Sequence, residues 1–153
     1  MSERLPPYRS FLASDAEIRE ILRDHRCLAM VGLSRDPEGA HAREAQALRL
    51  RGYRILPVHP DGGELRGTKI HTDLRSIGEE VEIVVLLAGA GPADSLLEEA
   101  HEIGASVFWM EAGDEDARTA YRATRLGMQA VINRTVFGEY EMHFPDDEVG
   151  YPG

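Results

Sequence analysis

Five short apolar runs recur along the chain, and longer segments with helical periodicity separate them. The runs cover residues 27–33, 53–58, 82–88, 106–110 and 128–132. Each run is continuously apolar, which is typical of strands that are covered on both faces. A shorter run at residues 69–72 is typical of a sheet edge. The pattern therefore indicates a parallel sheet that is covered on both sides.

The segments between the runs carry helix start and stop signals. Ser14 and Glu17 form a capping-box pattern before a first helix. Helical patterns also cover residues 41–51, 92–103 and 114–126, and a glycine follows each of them directly, as at many helix ends. Repeated helix–glycine–strand units indicate right-handed βαβ crossovers. The sequence therefore predicts an α/β fold, a Rossmann-like three-layer sandwich with a five- to six-stranded, mainly parallel sheet.

The length of 153 residues is typical of one domain. Residues 14–144 are predicted to form the Rossmann-like domain, residues 1–13 a leader, and residues 145–153 an acidic tail. The chain has one cysteine, Cys27, so an intramolecular disulfide is impossible and a cysteine-based zinc site is not expected.

Charge narrows the range of partners. The chain has 17 Lys and Arg residues against 27 Asp and Glu residues, which gives a net charge of −10 with neutral histidines. Such a surface repels phosphate backbones, so we expect no nucleic acid and no anionic membrane as a partner. No apolar run reaches the ~18–20 residues of a membrane span, and the first twenty residues show no signal-peptide pattern. We therefore expect a cytoplasmic protein with a small-molecule ligand.

Ligands of open parallel sheets bind beyond the carboxyl ends of the strands, where the strand order reverses. The first strand runs into residues 32–39, where Gly32 allows close backbone approach and Ser34 and Arg35 can donate to a phosphate. The second strand ends in the sequence Pro-Val-His-Pro at residues 57–60, and its prolines form a rigid wall suited to adenine or ribose. These two loops indicate a nucleotide-like ligand.

The first loop does not match the fingerprint of nicotinamide dinucleotide binding. The pattern G-x-G-x-x-G needs a second glycine at position 34, where this chain has serine. The second strand also lacks the terminal acidic residue that binds the ribose of NAD. The chain contains no G-x-x-x-x-G-K-[ST] loop of ATP hydrolases either. The residues therefore favour another nucleotide over NAD(P).

Four motifs carry a family resemblance. They are Val-Gly-Leu-Ser at residues 31–34 with Pro37, the segment 52–60, Gly67, and Trp-Met-Glu-Ala-Gly at residues 109–113. Together they resemble the CoA-binding domain family, small proteins similar to the N-terminal domain of succinyl-CoA synthetase alpha subunits. The resemblance covers about residues 27–133. It implies that the chain binds CoA or an acyl-CoA and performs no chemistry of its own.

The strand-end argument and the resemblance together predict the ligand site. Residues 32–35 would hold the diphosphate, residues 58–60 would border the adenosine, and the loop from residue 88 would border the pantetheine. The predicted ligand-contacting residues are Gly32, Leu33, Ser34, Arg35, Pro37, His41, Val58, His59, Pro60, Ala88, Gly89 and Gly113. No catalytic residue and no metal ligand is predicted.

Several positions depart from the family pattern, among them residues 59, 61 and 111. His59 stands where the family has asparagine, Asp61 where a basic residue often follows, and Glu111 where the family has glutamine. Since CoA carries three phosphates, added acidic residues should weaken its binding.

Two other functions stay open. One is a Rossmann-class enzyme that uses NAD(P) or acts on an acyl-CoA, for which the crevice offers Ser34, His59, Asp61, Glu111 and Asn133. The other is a degenerate member that acts only as a protein-interaction module. The oligomeric state and any partner protein also stay open.

Overall fold

A five-stranded parallel sheet runs through the middle of the protein. The computed structural model describes residues 4–33, 35–111 and 117–146. Its strands are β1 (Cys27–Val31), β2 (Arg54–Val58), β3 (Glu64–Leu65), β4 (Thr68–Lys69), β5 (Ile83–Leu86), β6 (Val107–Met110) and β7 (Gln129–Ile132). The sheet has the order β2-β1-β5-β6-β7, and β3 and β4 form a separate antiparallel hairpin.

The five apolar runs form these sheet strands because both faces of the sheet are covered. Every residue of β5 and β6 is buried, and in β1, β2 and β7 only the first residue reaches solvent. The register places Val31, at the end of β1, beside Val58 on one side and Leu86 on the other. All pairings between the sheet strands are parallel. The predicted sheet is therefore confirmed.

Helices cover the sheet on both faces. They are α1 (Asp15–Asp24), α2 (Ala40–Leu50), α3 (Ala93–Glu102), α4 (Ala117–Arg125) and α5 (Val136–His143). Buried side chains of α1, α2 and α5 form one core with the sheet, and those of α3 and α4 form the other. This arrangement is the predicted three-layer sandwich. Among the described residues, no helix is long and apolar enough to cross a membrane.

Helix α1 begins where the sequence predicts it, and α5 was not predicted. The Ser14 hydroxyl accepts from the N–H of Glu17 at 3.2 Å, and the Glu17 carboxylate accepts from the N–H of Ser14 at 2.9 Å. Helix α5 begins after Thr135, whose hydroxyl accepts from the N–H of Gly138 at 3.1 Å. The capped α5 places its buried residues against the same core as α1 and α2.

Short segments lie against both outer strands of the sheet. The run at residues 69–72 contains only the end of β4, and its His71 forms a parallel bridge to Val58 of β2. At the other side, Leu12 bridges to Ala130 of β7, and the N–H of Ala13 donates to the Ala130 carbonyl at 2.9 Å. The expected edge strand is thus a single bridging residue, because Lys69 at the start of the run pairs with Glu64 in the β3–β4 hairpin instead.

Candidate functional site

The strand order reverses at β1, which has β2 on one side and β5 on the other. The loops that follow these strands therefore begin side by side, and ligands of open parallel sheets bind in the crevice where such loops diverge. The N–H of Gly32 donates to the Val58 carbonyl at 2.8 Å, and the N–H of Leu87 donates to the Val31 carbonyl at 2.9 Å. These bonds bring the ends of three strands together at the predicted site.

Gly32 lies directly against the loop that follows β5. A Cβ atom at residue 32 would lie 3.3 Å from the Cα of Ala90, and Gly32 has a φ of +100°. Only glycine fits this conformation and this close approach without strain. The structure thus joins two predicted parts of the site, the glycine after β1 and the small-residue loop that begins at Ala88 and Gly89.

Helix α2 points its N-terminus toward this crevice. Its N-cap residue is Gly39, so no side chain caps the first turn. The loop before it is tightened by Asp36, whose carboxylate accepts from the N–H of Glu38 at 3.0 Å and whose carbonyl accepts from the N–H of Gly39 at 3.2 Å. Helix N-termini bind anions through such first-turn N–H groups.

Two arginines lie beside the same loop. The side chain of Arg66, in the β3–β4 turn, donates to the Pro37 carbonyl at 2.9 Å. Arg35 and Arg66 are both exposed, and neither forms an ion pair within the part of the chain that the structure describes. Arg66 was not among the predicted site residues, because 29 residues separate it from Pro37. The two cations supply positive charge at the rim of the crevice.

The loop after β2 presents a histidine and an acid. His59 accepts at Nδ1 from the N–H of Asp61 at 3.1 Å, and an Asp61 carboxylate oxygen lies 3.7 Å from the same nitrogen. The Asp61 side chain is 72% exposed, so its charge faces solvent beside the loop. Pro60 is exposed as well, whereas the side chain of Val58 is buried in the core. Only the backbone of Val58 can therefore border a ligand.

Other predicted residues lie elsewhere around the crevice. The side chain of Leu33 is buried in the core, so its backbone alone can face a ligand. His41 lies in the first turn of α2, with its Nδ1 4.0 Å from the carboxylate of Glu44. Ser34 and Gly113 lie outside the described residues.

Glu111 occupies the end of β6, where its carboxylate accepts from the N–H of Val136 at 2.8 Å. Burial raises the pKa of Glu111 to about 7, the hydrogen bond from Val136 opposes this rise, and the charge of Glu44 adds to it. The side chain thus joins the end of a strand to the start of α5. The sequence could not show this contact, because 25 residues separate its partners.

Of the candidate catalytic residues that the structure describes, His59 and Asp61 lie together, whereas Glu111 and Asn133 follow other strands. Asn133 follows β7, three strands away from β1 in the sheet. Cys27 lies at the opposite, amino end of β1, and burial raises the pKa of its thiol. Within residues 4–33, 35–111 and 117–146, no group of three or more His, Cys, Asp or Glu side chains is arranged to hold a metal ion.

A family model described as the CoA binding domain matches residues 26–141. The chain belongs to the CoA binding domain family. This match confirms the resemblance drawn from the motifs, and it includes β1 to β7 and all of the crevice described above.

The CoA binding domain of this chain is similar to several proteins. It is 35% identical over 100 residues to the uncharacterized protein YneT of Bacillus subtilis (strain 168), which covers 65% of this chain and 74% of YneT. It resembles Prb, described as PH1109 protein redesigned for binding, with a TM-score of 0.81, 29% identity and coverage of 88% and 94% of the two chains. A hypothetical protein from Pyrococcus horikoshii OT3 gives a TM-score of 0.77, 27% identity and coverage of 94% and 99%.

Proposed function

We propose that this protein binds CoA or an acyl-CoA along the carboxyl ends of its parallel strands and catalyses no reaction of its own. The observation that carries the proposal is the contact of Gly32 with Ala90, at the point where the strand order reverses. The contact brings the backbones of two strand-end loops together where such ligands bind, and family membership names CoA as the ligand class.

The residues around the crevice suit a diphosphate. The first-turn N–H groups of α2 have no capping side chain, and Gly32 allows the backbone to approach closely. Arg35 and Arg66 add two guanidinium groups, which bind phosphates through paired N–H donors. These groups would hold the charged part of CoA, which the net charge of −10 would otherwise repel.

The remaining loops suit the two ends of the ligand. His59 and Pro60, after β2, would border the adenosine, with His59 oriented by its bond from the N–H of Asp61. Ala88 and Gly89, after β5, are exposed and present no bulky side chain, so a pantetheine arm could lie along them.

The absence of catalysis is proposed from the roles that the described polar groups already have. His59 Nδ1 accepts a backbone N–H, and His41 Nδ1 lies near a carboxylate. Nucleophilic catalysis needs a nucleophile, a base and an orienting group in contact. Among the described residues, Cys27 lies at the far end of β1 from these histidines.

Calorimetric titration with CoA, acetyl-CoA, NAD and NADP tests the proposal. We expect CoA and acetyl-CoA to bind and to raise the unfolding temperature, because a ligand of the folded state stabilises it by mass action. Acetyl-CoA incubated with the protein should release no free thiol. Stabilisation by NAD(P) alone would favour the dinucleotide enzyme, and no stabilisation by any nucleotide would favour an interaction module.

Two variants connect binding to this crevice. Arg35→Ala should weaken CoA binding about tenfold, as expected for one charge-assisted contact. Arg23→Ala is the matched control, because Arg23 lies in the last turn of α1, at the amino end of the sheet, and should bind CoA like the parent protein. Equal losses of CoA affinity in both variants would mean that CoA does not bind at this site.

A further inference from the structure

Gly63 lies beneath the side chain of Arg35, in the turn before β3. A Cβ atom at residue 63 would lie 2.5 Å from Cδ of Arg35 and 3.4 Å from its Cγ and Nη1. A side chain at position 63 would therefore collide with the arginine as it lies here. Gly63 also has a φ of +97°, which glycine adopts at little cost. Arg35 thus crosses the backbone at a position where glycine makes room for it.

The turn that carries Gly63 is held at both ends. The carbonyl of Gly63 accepts from the N–H of Ile70 at 2.8 Å, and the N–H of Gly62 donates to the His59 carbonyl at 3.0 Å. Ile70 is buried in the core. Gly63 is therefore a fixed support rather than part of a loose loop, tied to the segment after β4 and to the end of β2.

The same hairpin contacts the first loop again at Pro37. The Pro37 carbonyl accepts from the guanidinium of Arg66 at 2.9 Å. Since Pro37 follows Arg35 by two residues, the Arg35 side chain lies against the turn before β3, and the backbone just beyond it is bonded to the β3–β4 turn. The aliphatic part of the Arg35 side chain therefore lies along the backbone of the turn before β3.

We propose that Gly63 is a positioning residue: because it has no side chain, Arg35 can pack against the hairpin backbone, and this packing keeps the guanidinium near the crevice before the anionic ligand arrives. The inference rests on the proposed function, in which Arg35 contacts the phosphates of CoA. A freely rotating arginine side chain loses conformational entropy when a ligand fixes it. A side chain restrained beforehand loses less, and this preorganisation tightens binding.

Gly63→Ala tests the proposal, with Gly67→Ala as the matched control. Both glycines lie next to the hairpin strands and have positive φ values, +97° and +81°, but a Cβ at residue 67 would meet nothing within 4 Å. Both variants therefore strain the backbone, and only Gly63→Ala displaces Arg35. We expect calorimetry with CoA to show about fivefold to tenfold weaker binding for Gly63→Ala and less than about twofold for Gly67→Ala.

The double variant Arg35→Ala with Gly63→Ala identifies the route of the effect. If Gly63 acts through Arg35, the double variant should bind CoA as Arg35→Ala does, because coupled residues are not additive. Weaker binding by the double variant would overturn the proposal, since Gly63 would then act on the ligand by another route. The double variant can still be compared with Arg35→Ala if Gly63→Ala alone does not fold, because without the Arg35 side chain the Cβ at residue 63 meets no collision.

The outcomes separate this inference from the proposed function. If the parent protein does not bind CoA, both fail. If the parent binds CoA and Arg35→Ala weakens it, but Gly63→Ala matches Gly67→Ala, only the positioning role of Gly63 fails. If Arg35→Ala leaves the affinity unchanged, the positioning role also fails, and CoA binding stands without it.

Discussion

The carboxylate of Glu111 accepts a hydrogen bond from the backbone N–H of Val136 at 2.8 Å. Glu111 follows β6 and Val136 begins α5, so the side chain lies between the end of a strand and a helix N-terminus. Burial raises its pKa to about 7 in spite of this hydrogen bond, and Glu44 adds to the rise. In the unfolded chain the pKa returns to the ordinary glutamate value of 4.5.

This difference predicts how stability depends on pH. Between pH 4.5 and 7 the folded state binds more protons at Glu111 than the unfolded state, so its contribution to stability falls as pH rises through this window. Glu111→Gln should remove that fall. Relative to the parent protein, the free energy of unfolding of the variant should be up to about 3 kcal/mol higher at pH 8 than at pH 4. Urea unfolding at both pH values measures it, with the exposed Glu141→Gln as control. Parallel pH profiles for Glu111→Gln and the parent protein would contradict the prediction.

Gly32→Ala should destabilise the fold more than Gly89→Ala. Both positions have positive φ, +100° and +82°, but only a Cβ at residue 32 meets another part of the chain, the backbone of Ala90. We expect about 1–2 kcal/mol of backbone strain in both variants and about 1 kcal/mol more in Gly32→Ala from crowding. Urea unfolding compares them. Equal losses would mean that the loop after β5 moves aside freely.

Asp61→Lys should tighten CoA binding in a salt-dependent way. Asp61 is exposed beside His59, so reversing its charge replaces repulsion of the phosphates by attraction. The gain should shrink between low and high salt, because ions screen exposed charges over ~8–10 Å. Glu20→Lys makes the same charge change on the exposed side of α1 and should leave the affinity near its parent value. A gain that persists unchanged at high salt would point to packing instead of charge.

Glu82→Ala should destabilise the amino end of the sheet. The Glu82 carboxylate accepts from the N–H groups of Arg26 and Cys27 at 2.9 and 3.1 Å, and His25 Nδ1 lies 2.8 Å away. Burial alone would raise the pKa of Glu82, but these hydrogen bonds outweigh burial and lower it. The variant should lose about 2 kcal/mol at neutral pH, since it leaves donors without an acceptor.

The pH dependence of this loss has the opposite sign to that of Glu111. The stability from Glu82 is present above its ordinary pKa of 4.5 and is lost as pH falls through the lowered folded value. The free energies of unfolding of Glu82→Ala and the parent protein should therefore converge as pH falls below 4.5. Glu80→Ala, at an exposed neighbouring position, should follow the parent protein throughout. A difference that does not narrow in acid would assign the effect to packing.

The five strands of the parallel sheet and four helices could be predicted because their causes are local. Val84 and Val85 belong to a run that is apolar on both faces, and Ser14 with Glu17 marks a helix start within four residues. Helix α5 could not be predicted, because its sequence is short and contains Gly138. Its apolar residues also do not recur at helical spacing. Thr135, which caps it, was the available signal.

The candidate site could be predicted only as far as the carboxyl ends of the strands determine it. Gly32 and Ala88 follow from the rule that ligands bind beyond the carboxyl ends of parallel strands. The contact of Arg35 with Gly63 does not, because it joins residues from two loops whose approach depends on how the hairpin folds back. Packing between distant segments, which no local pattern encodes, sets these positions.

The bridges from Leu12 to Ala130 and from His71 to Val58 have a consequence for self-association. An unpaired outer strand is a template on which another chain can add, and that addition begins many aggregates. Here the Ala130 carbonyl already accepts from Ala13, and the Pro57 carbonyl already accepts from His71. Pro57 also has no backbone N–H that could donate to an added strand. Before a second copy could add a strand at these positions, the protein's own segments at Leu12 and His71 would have to dissociate from β7 and β2.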